Sequence, residues 1–420
     1  MSVRTMVASP ERRGIGAVAG LVWLVALVFG SWGVFLRLAN GHADANFGSY
    51  VVWGLWVAAY IYFIGLSAGA FLTSSLVYVF RVKQLQRIGP LSLFIAVVTL
   101  FLALVAIWFD LGHMERFYYI YTRPNFSSMM TWMVWLYTAY IILLLVEMYI
   151  AVRHDVGAWG EQPGLRGTVG RVLLFGRAAP LDESRTKDMR RLKVLGAIGI
   201  PVAIAFHGGV GALFGTVAAR PYWHTPLYPI LFLTGALVSG GALITATVAL
   251  LWPKRDEAHR EMVTLLGKLV VALLLFDLLL EFAEFSIPMW YGQGPENELL
   301  RQVLFGPFWW VFWIVHLLLG AVIPLLVLTF RGDKSRWVGS ASALVAVTFM
   351  AVRLNIVVPG LIEPQIGGIQ DAFVNARLTF QYVPSMAEWQ MVLFLVAVGL
   401  GLFYAGVRLL PLFEQSDTPA

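Results

Sequence analysis

Ten separate stretches of this chain are apolar for long enough to cross the ~30 Å hydrocarbon layer of a bilayer, and nothing else in the sequence limits its fold as strongly. They fall at about 14–36, 51–80, 91–111, 130–152, 194–217, 227–252, 264–287, 308–330, 339–358 and 387–410. Each reads as a transmembrane helix, so the expected fold class is an all-α polytopic membrane protein forming one integral membrane domain over 1–420. With 59% hydrophobic and 13% charged residues, no single soluble core absorbs this much apolar surface. The first run exceeds the apolar region of a signal peptide and is expected to stay as an uncleaved helix that directs insertion.

Ten crossings place both termini on one side, and the Lys/Arg bias assigns it. The N-terminus carries Arg4, Arg12 and Arg13. The even-numbered connections carry Arg81, Lys83 and Arg87, then nine basic residues between Arg153 and Lys193, then Lys254, Arg255 and Arg260, then Arg331, Lys334 and Arg336. The odd-numbered connections hold only Arg37, Arg116, Arg123, Arg220, Arg301 and Arg377. Both termini are therefore expected in the cytoplasm, with 153–193 a solvated cytoplasmic linker touching lipid headgroups. The net charge of +6 is spread over short loops and forms no single patch for nucleic acid. The absence of cysteine removes disulfides, iron–sulfur ligation and c-type haem attachment from this chain.

Ionisable residues in hydrocarbon cost several kcal/mol unless paired or hydrated, so each one inside a span is a functional candidate. At ~1.5 Å rise per residue, His207, Asp277, His316 and Arg353 fall in the outer half of the bilayer, and Asp110, Glu281 and Glu284 lie nearer its outer rim. Glu147 and Lys268 lie toward the inner ends. Asp277, Glu281 and Glu284 stand at i, i+4 and i+7 and so share one face of the seventh helix. Three carboxylates this close do not all ionise cheaply, which suits a proton relay. A buried salt-bridge network with Arg353 is the structural alternative. His207 and His316 match in depth on different helices, as bis-His ligation of a b-type haem requires; a quinone or proton-network role, or plain interhelical hydrogen bonding, fits them too. The runs Gly65-Leu-Ser-Ala-Gly69-Ala and Ser239-Gly-Gly-Ala242 allow close helix approach.

The external connections hold Asp, His, Arg and Asn among their aromatics, which an interfacial aromatic belt alone does not explain. Here the chain resembles the NrfD/PsrC family. The resemblance rests on Trp53-Gly-Leu-Trp56-Val-Ala-Ala-Tyr60-Ile-Tyr62-Phe-Ile-Gly65-Leu-Ser-Ala-Gly69, Asp110-Leu-Gly112, Arg123-Pro-Asn125, Ser127-Ser-Met-Met-Thr-Trp132 and Tyr222-Trp-His224-Thr-Pro226-Leu, and covers about residues 50–250. It implies a quinone-binding membrane anchor of a respiratory redox complex. Shorter members have two four-helix bundles, and ten spans resemble the longer branch, which includes alternative complex III subunits and adds peripheral helices.

The resemblance further implies a quinone, menaquinone or ubiquinone, as cofactor, with no haem or iron–sulfur cluster in this chain. It implies a ferredoxin-like iron–sulfur subunit on the external face, and a molybdoenzyme-like catalytic subunit or cytochrome subunits beyond it, in a bacterial inner membrane. It carries Asp110 and His113 over as proton-accepting groups, with Arg123, Asn125 and Trp132 around the quinone and Tyr62 deeper. Oxidising a quinol needs a base within hydrogen-bond reach of a ring hydroxyl, and Asp110 or His113 is of the right type. Two other classes stay open on the residues: a secondary transporter with a carboxylate-lined cavity, and a haem-bearing membrane cytochrome.

Overall fold

The computed structural model describes residues 10–413 apart from 158, 161–162, 175–181 and 376, so Arg4, Arg177 and parts of the 153–193 connection lie outside the described residues. Ten helices are long and apolar enough to cross a membrane, and no strand occurs among the described residues. Inside hydrocarbon every backbone N–H and C=O must be satisfied by the protein, and a helix achieves this within a single segment. In chain order the helices are α1 (Pro10–Asn40), α2 (Leu55–Tyr78), α3 (Gly89–Asp110), α4 (Met129–Gly157), α5 (Asp182–Gly215), α6 (Tyr228–Leu251), α7 (Glu257–Tyr291), α8 (Val311–Arg331), α9 (Ser335–Val357) and α10 (Met386–Leu409). One end of the assembly carries 41–54, 111–128, 216–227, 292–310 and 358–385, and is the arginine-poor end; the connections rich in Arg and Lys lie at the other.

The helices sort into two antiparallel four-helix groups, α2–α5 and α6–α9, with α2 packed against both α6 and α9. Helices α1 and α10 pair outside these groups, with α10 lying along α3. Burial follows that order: 89% of the apolar window of α2 is buried inside the protein, against 11% for α1. The apolar surface of α1 is therefore left to lipid, as a span that packs on one side only requires.

The two small-residue runs meet where the groups join. A Cβ on Gly240 would stand 2.6 Å from Gly69 Cα, and one on Gly69 would collide with Ala236 O. No side chain fits between α2 and α6 there. Such close backbone approach is how helices associate in lipid, where exclusion of water supplies no driving force. Helix α8 begins with a π-helical segment, Val311–Val322, before the α-helical Ile323–Arg331. Pro324 has no N–H to donate back into that segment. Within this segment Gly320 lies so close to α9 that an added Cβ would meet Thr348 Oγ1 at 2.7 Å. π segments of this kind recur at functional sites.

Candidate functional site

The second helix group encloses a cavity of about 40 Å3 near the arginine-poor end. Helix α7 contributes Asp277, Glu281, Glu284 and Phe285, and α8 contributes Phe312 and His316. Helix α9 adds Phe349, Arg353 and Asn355, α6 adds Tyr228 and Phe232, and Tyr222 arrives from the connection before α6. The i, i+4, i+7 spacing does put the three carboxylates on one side of α7, and the structure adds both the histidine and the arginine to them. This volume accommodates a few water molecules.

Each polar group is held differently. Asp277 Oδ1 accepts from Thr234 Oγ1 at 2.8 Å, which ties the deepest carboxylate to α6. His316 Nε2 lies 3.3 Å from Glu281 Oε2. Glu284 Oε2 accepts from Thr225 Oγ1 at 3.4 Å, nearer the mouth. Arg353 is fully buried and makes no direct ion pair among the described residues. Its guanidinium lies between the rings of Phe232, at 4.8 Å, and Phe349, at 5.2 Å, and one NH2 reaches Phe232 O at 3.5 Å. Glycine at 235 makes room, since a Cβ there would be 2.8 Å from that NH2. Cation–π contact in a desolvated site is worth ~2 kcal/mol, far less than a lone buried cation costs. The cavity and its carboxylates supply the remaining compensation.

Three buried polar atoms at this cavity have no protein partner: Arg353 Nε and both amide atoms of Asn355. Buried polar groups are satisfied by protein or by ordered water, so this cavity is built to be wet. The Tyr222 hydroxyl donates to Asn355 O at 3.1 Å. Burial first, then the charges of Glu281 and Glu284, push its pKa well above the ordinary value, so it remains a donor across physiological pH. Asn355 and Tyr228 were not singled out from sequence, and Tyr222 entered only as the first residue of a family motif. The available signal was Arg353-Leu-Asn355, two strongly polar residues two apart inside an apolar span.

The residues expected around an external pocket lie elsewhere, and none of them lines this cavity. Asp110 ends α3 with Oδ1 buried and without a partner. Asp110 makes no ion pair with Arg116, the basic residue six positions on, which lies 3.5 Å from Glu115 instead. The neighbour of Asp110 is Arg37 of α1, which donates to Phe109 O at 2.7 Å and Leu111 O at 2.6 Å and so caps the last carbonyls of α3. His42, just beyond α1, also has a buried ring nitrogen without a partner. Burial, then Arg37, lowers its pKa and favours the neutral ring. His113 is exposed and lies 3.1 Å from Glu115.

Arg123 stacks over Tyr119, Asn125 accepts from Ser127 N at 3.1 Å in the turn before α4, and Trp132 donates to Phe126 O at 2.8 Å. These contacts are local. Tyr62 donates to Ala346 O at 2.9 Å and ties α2 to α9. His207 is buried with both ring nitrogens against carbonyls, Ala203 O at 2.7 Å and Ile64 O at 3.1 Å. Neither nitrogen is presented to a metal, which removes the donor pair on which bis-His ligation rested. Glu147 is fully buried in α4 with Oε1 unpartnered, whereas Lys268 is exposed on α7.

A family model described as polysulphide reductase, NrfD, matches residues 44–365. The chain belongs to the NrfD family. The matched segment spans both four-helix groups and leaves out α1 and α10, so the family core is α2–α9 and the outer pair is an addition to it. The chain is 35% identical over 396 residues to the C subunit of selenate reductase from Mesobacillus selenatarsenatis, covering 92% of each protein. It is 24% identical over 413 residues to the menaquinone reductase integral membrane subunit of Nitratidesulfovibrio vulgaris, 94% of this chain and 92% of that one. The polysulfide reductase C protein of Wolinella succinogenes is 26% identical over 284 residues, 66% of this chain and 83% of its own. This is a multi-pass integral membrane protein of the NrfD family.

Proposed function

We propose that this chain is the quinone-reactive membrane subunit of a multisubunit reductase, and that its second helix group conducts protons. Support for the redox role comes from the family and from relatives named for menaquinone, polysulfide and selenate reductases. The observation that carries the local reading is the buried, unpartnered Oδ1 of Asp110 at the arginine-poor end. An orphaned carboxylate oxygen is costly unless a ligand or water completes it, so the residues fit a ring hydroxyl there.

A bound quinone supplies two-electron, two-proton redox chemistry. On that reading Asp110 Oδ1 takes a proton, and neutral His42 provides a second acceptor at the same end. The Arg37 guanidinium, fixed on the α3 carbonyls, keeps charge balance beside the carboxylate. The electrons leave to an iron–sulfur partner docked on the external connections, with both termini in the cytoplasm of a bacterial cell. The α7 carboxylates, His316 and the water accommodated by Asn355 and Arg353 form the outer half of a proton path, to which buried Glu147 adds a group deeper in the other helix group.

The test is to purify the complex in mild detergent, extract and identify bound quinone, and compare wild type with Asp110→Asn and His113→Ala. Quinol turnover should fall by ~10²-fold or more in Asp110→Asn and stay near wild type in His113→Ala, whose side chain is exposed. A quinone-free chain without redox partners, with Asp110→Asn unchanged, refutes the assignment and favours a transporter.

A further inference from the structure

At the arginine-rich end, a groove of about 460 Å3 opens between α4 and α5, lined by Ile150, Lys187, Arg190, Arg191, Val194 and Leu195. Positions 187, 190, 191, 194 and 198 fall three or four apart and form one stripe of α5. Along that stripe the side chains change from cationic to apolar as the helix enters its apolar run. Val194 and Ile198 are about half exposed, and α4 contributes Ile150 to the same groove.

One nearby acid is already committed. Asp188, buried on the neighbouring face of α5, binds Arg153, His154 Nε2 at 2.8 Å and Arg191 NH1 at 3.0 Å. This cluster locks α4 to α5 and leaves Lys187 and Arg190 at the surface, with no ion pair among the described residues. A rim of exposed cations above an exposed apolar wall, at the level where a membrane changes from headgroup to hydrocarbon, matches an amphiphile with an anionic head.

We propose that this groove binds an anionic phospholipid, with its headgroup phosphate on Lys187 and Arg190 and its acyl chains along Val194 and Ile198. The site is independent of the redox assignment. It lies at the opposite end from Asp110 and the carboxylate cavity, and it bridges two helices of the family core, so a bound lipid braces α4 against α5.

Native mass spectrometry of the full chain in mild detergent, titrated with phosphatidylglycerol or phosphatidylcholine, tests this. The wild type should retain phosphatidylglycerol in preference. Lys187→Gln and Arg190→Gln should each weaken that retention by about five-fold and the double variant by more, on the ordinary strength of a basic residue at a lipid surface. Arg331→Gln/Arg336→Gln, at the same end on α8 and α9, should not. The charge-preserving Lys187→Arg/Arg190→Lys should match wild type, which separates charge from folding; the single variants serve if the double one does not fold. Equal retention of the two lipids, an equal effect of the α8–α9 control, or single variants at wild-type retention overturns the proposal. Displacement by inorganic phosphate alone overturns it in favour of a site for a soluble anion.

Discussion

Gly240 and Gly241 stand side by side on α6, and the structure predicts opposite results for the same substitution. In Gly240→Ala the new Cβ would lie 2.6 Å from Gly69 Cα and Leu66 O and 2.9 Å from Ala70 N, all backbone atoms of α2 that have no rotamer to change. Carbon atoms rest at about 3.5–4.0 Å, so α2 and α6 must part by about 1 Å. Overpacking of this kind costs ~1–3 kcal/mol. In Gly241→Ala the Cβ meets nothing within 4 Å. Both variants gain the same ~1 kcal/mol of helix propensity, so the difference between them isolates the clash. At about 2 °C per kcal/mol for a long chain, their unfolding midpoints should differ by roughly 2–6 °C, with Gly241→Ala the higher. Thermal unfolding of the detergent-purified protein, followed by tryptophan fluorescence, measures this directly. Equal midpoints, or Gly240→Ala the more stable, would refute the close α2–α6 crossing.

Asp277→Asn keeps an oxygen for Thr234 to bond while removing the ionisable group, so the fold should survive and proton movement through the cavity should slow by ~10²-fold or more; unchanged proton translocation in proteoliposomes removes Asp277 from the path. Asp256 caps α7 by accepting from His259 N at 2.9 Å and faces Arg87 at 3.2 Å, which together push its pKa down to about 2. Asp256→Ala should cost ~1 kcal/mol. Because the folded carboxyl titrates below its ordinary value, that contribution is whole above about pH 4 and is lost as pH falls toward 2. Unfolding midpoints of wild type and variant should therefore converge at the acid end, and a constant gap refutes the capping account.

The local arrangement of the carboxylates was legible because helical spacing alone sets which residues share a face: Asp277, Glu281 and Glu284 line one cavity as their numbering requires. Asn355 was not legible, since a single buried amide in an apolar span has no periodic signature. The depth match of His207 and His316 was a poor guide to partnership. Depth locates a residue along the membrane normal and says nothing of rotation about its helix, and His207 turns to the backbone of α2 while His316 turns to Glu281. The motif residues Arg123, Asn125 and Trp132 announce a family; their visible work is to shape the turns before α4.

From sequence alone came the helical membrane fold, the ten crossings and the family, because lipid imposes a one-dimensional rule: a span must be apolar over its length and must satisfy its own backbone. Only the tertiary structure decided which faces meet. It set Gly69 against Gly240, enclosed Arg353 between Phe232 and Phe349, and drew Arg37 from outside the family core onto the end of α3 beside Asp110. Between helices in lipid, association rests on shape and on hydrogen bonds between residues far apart in the chain, and neither is written in the periodicity of any one span.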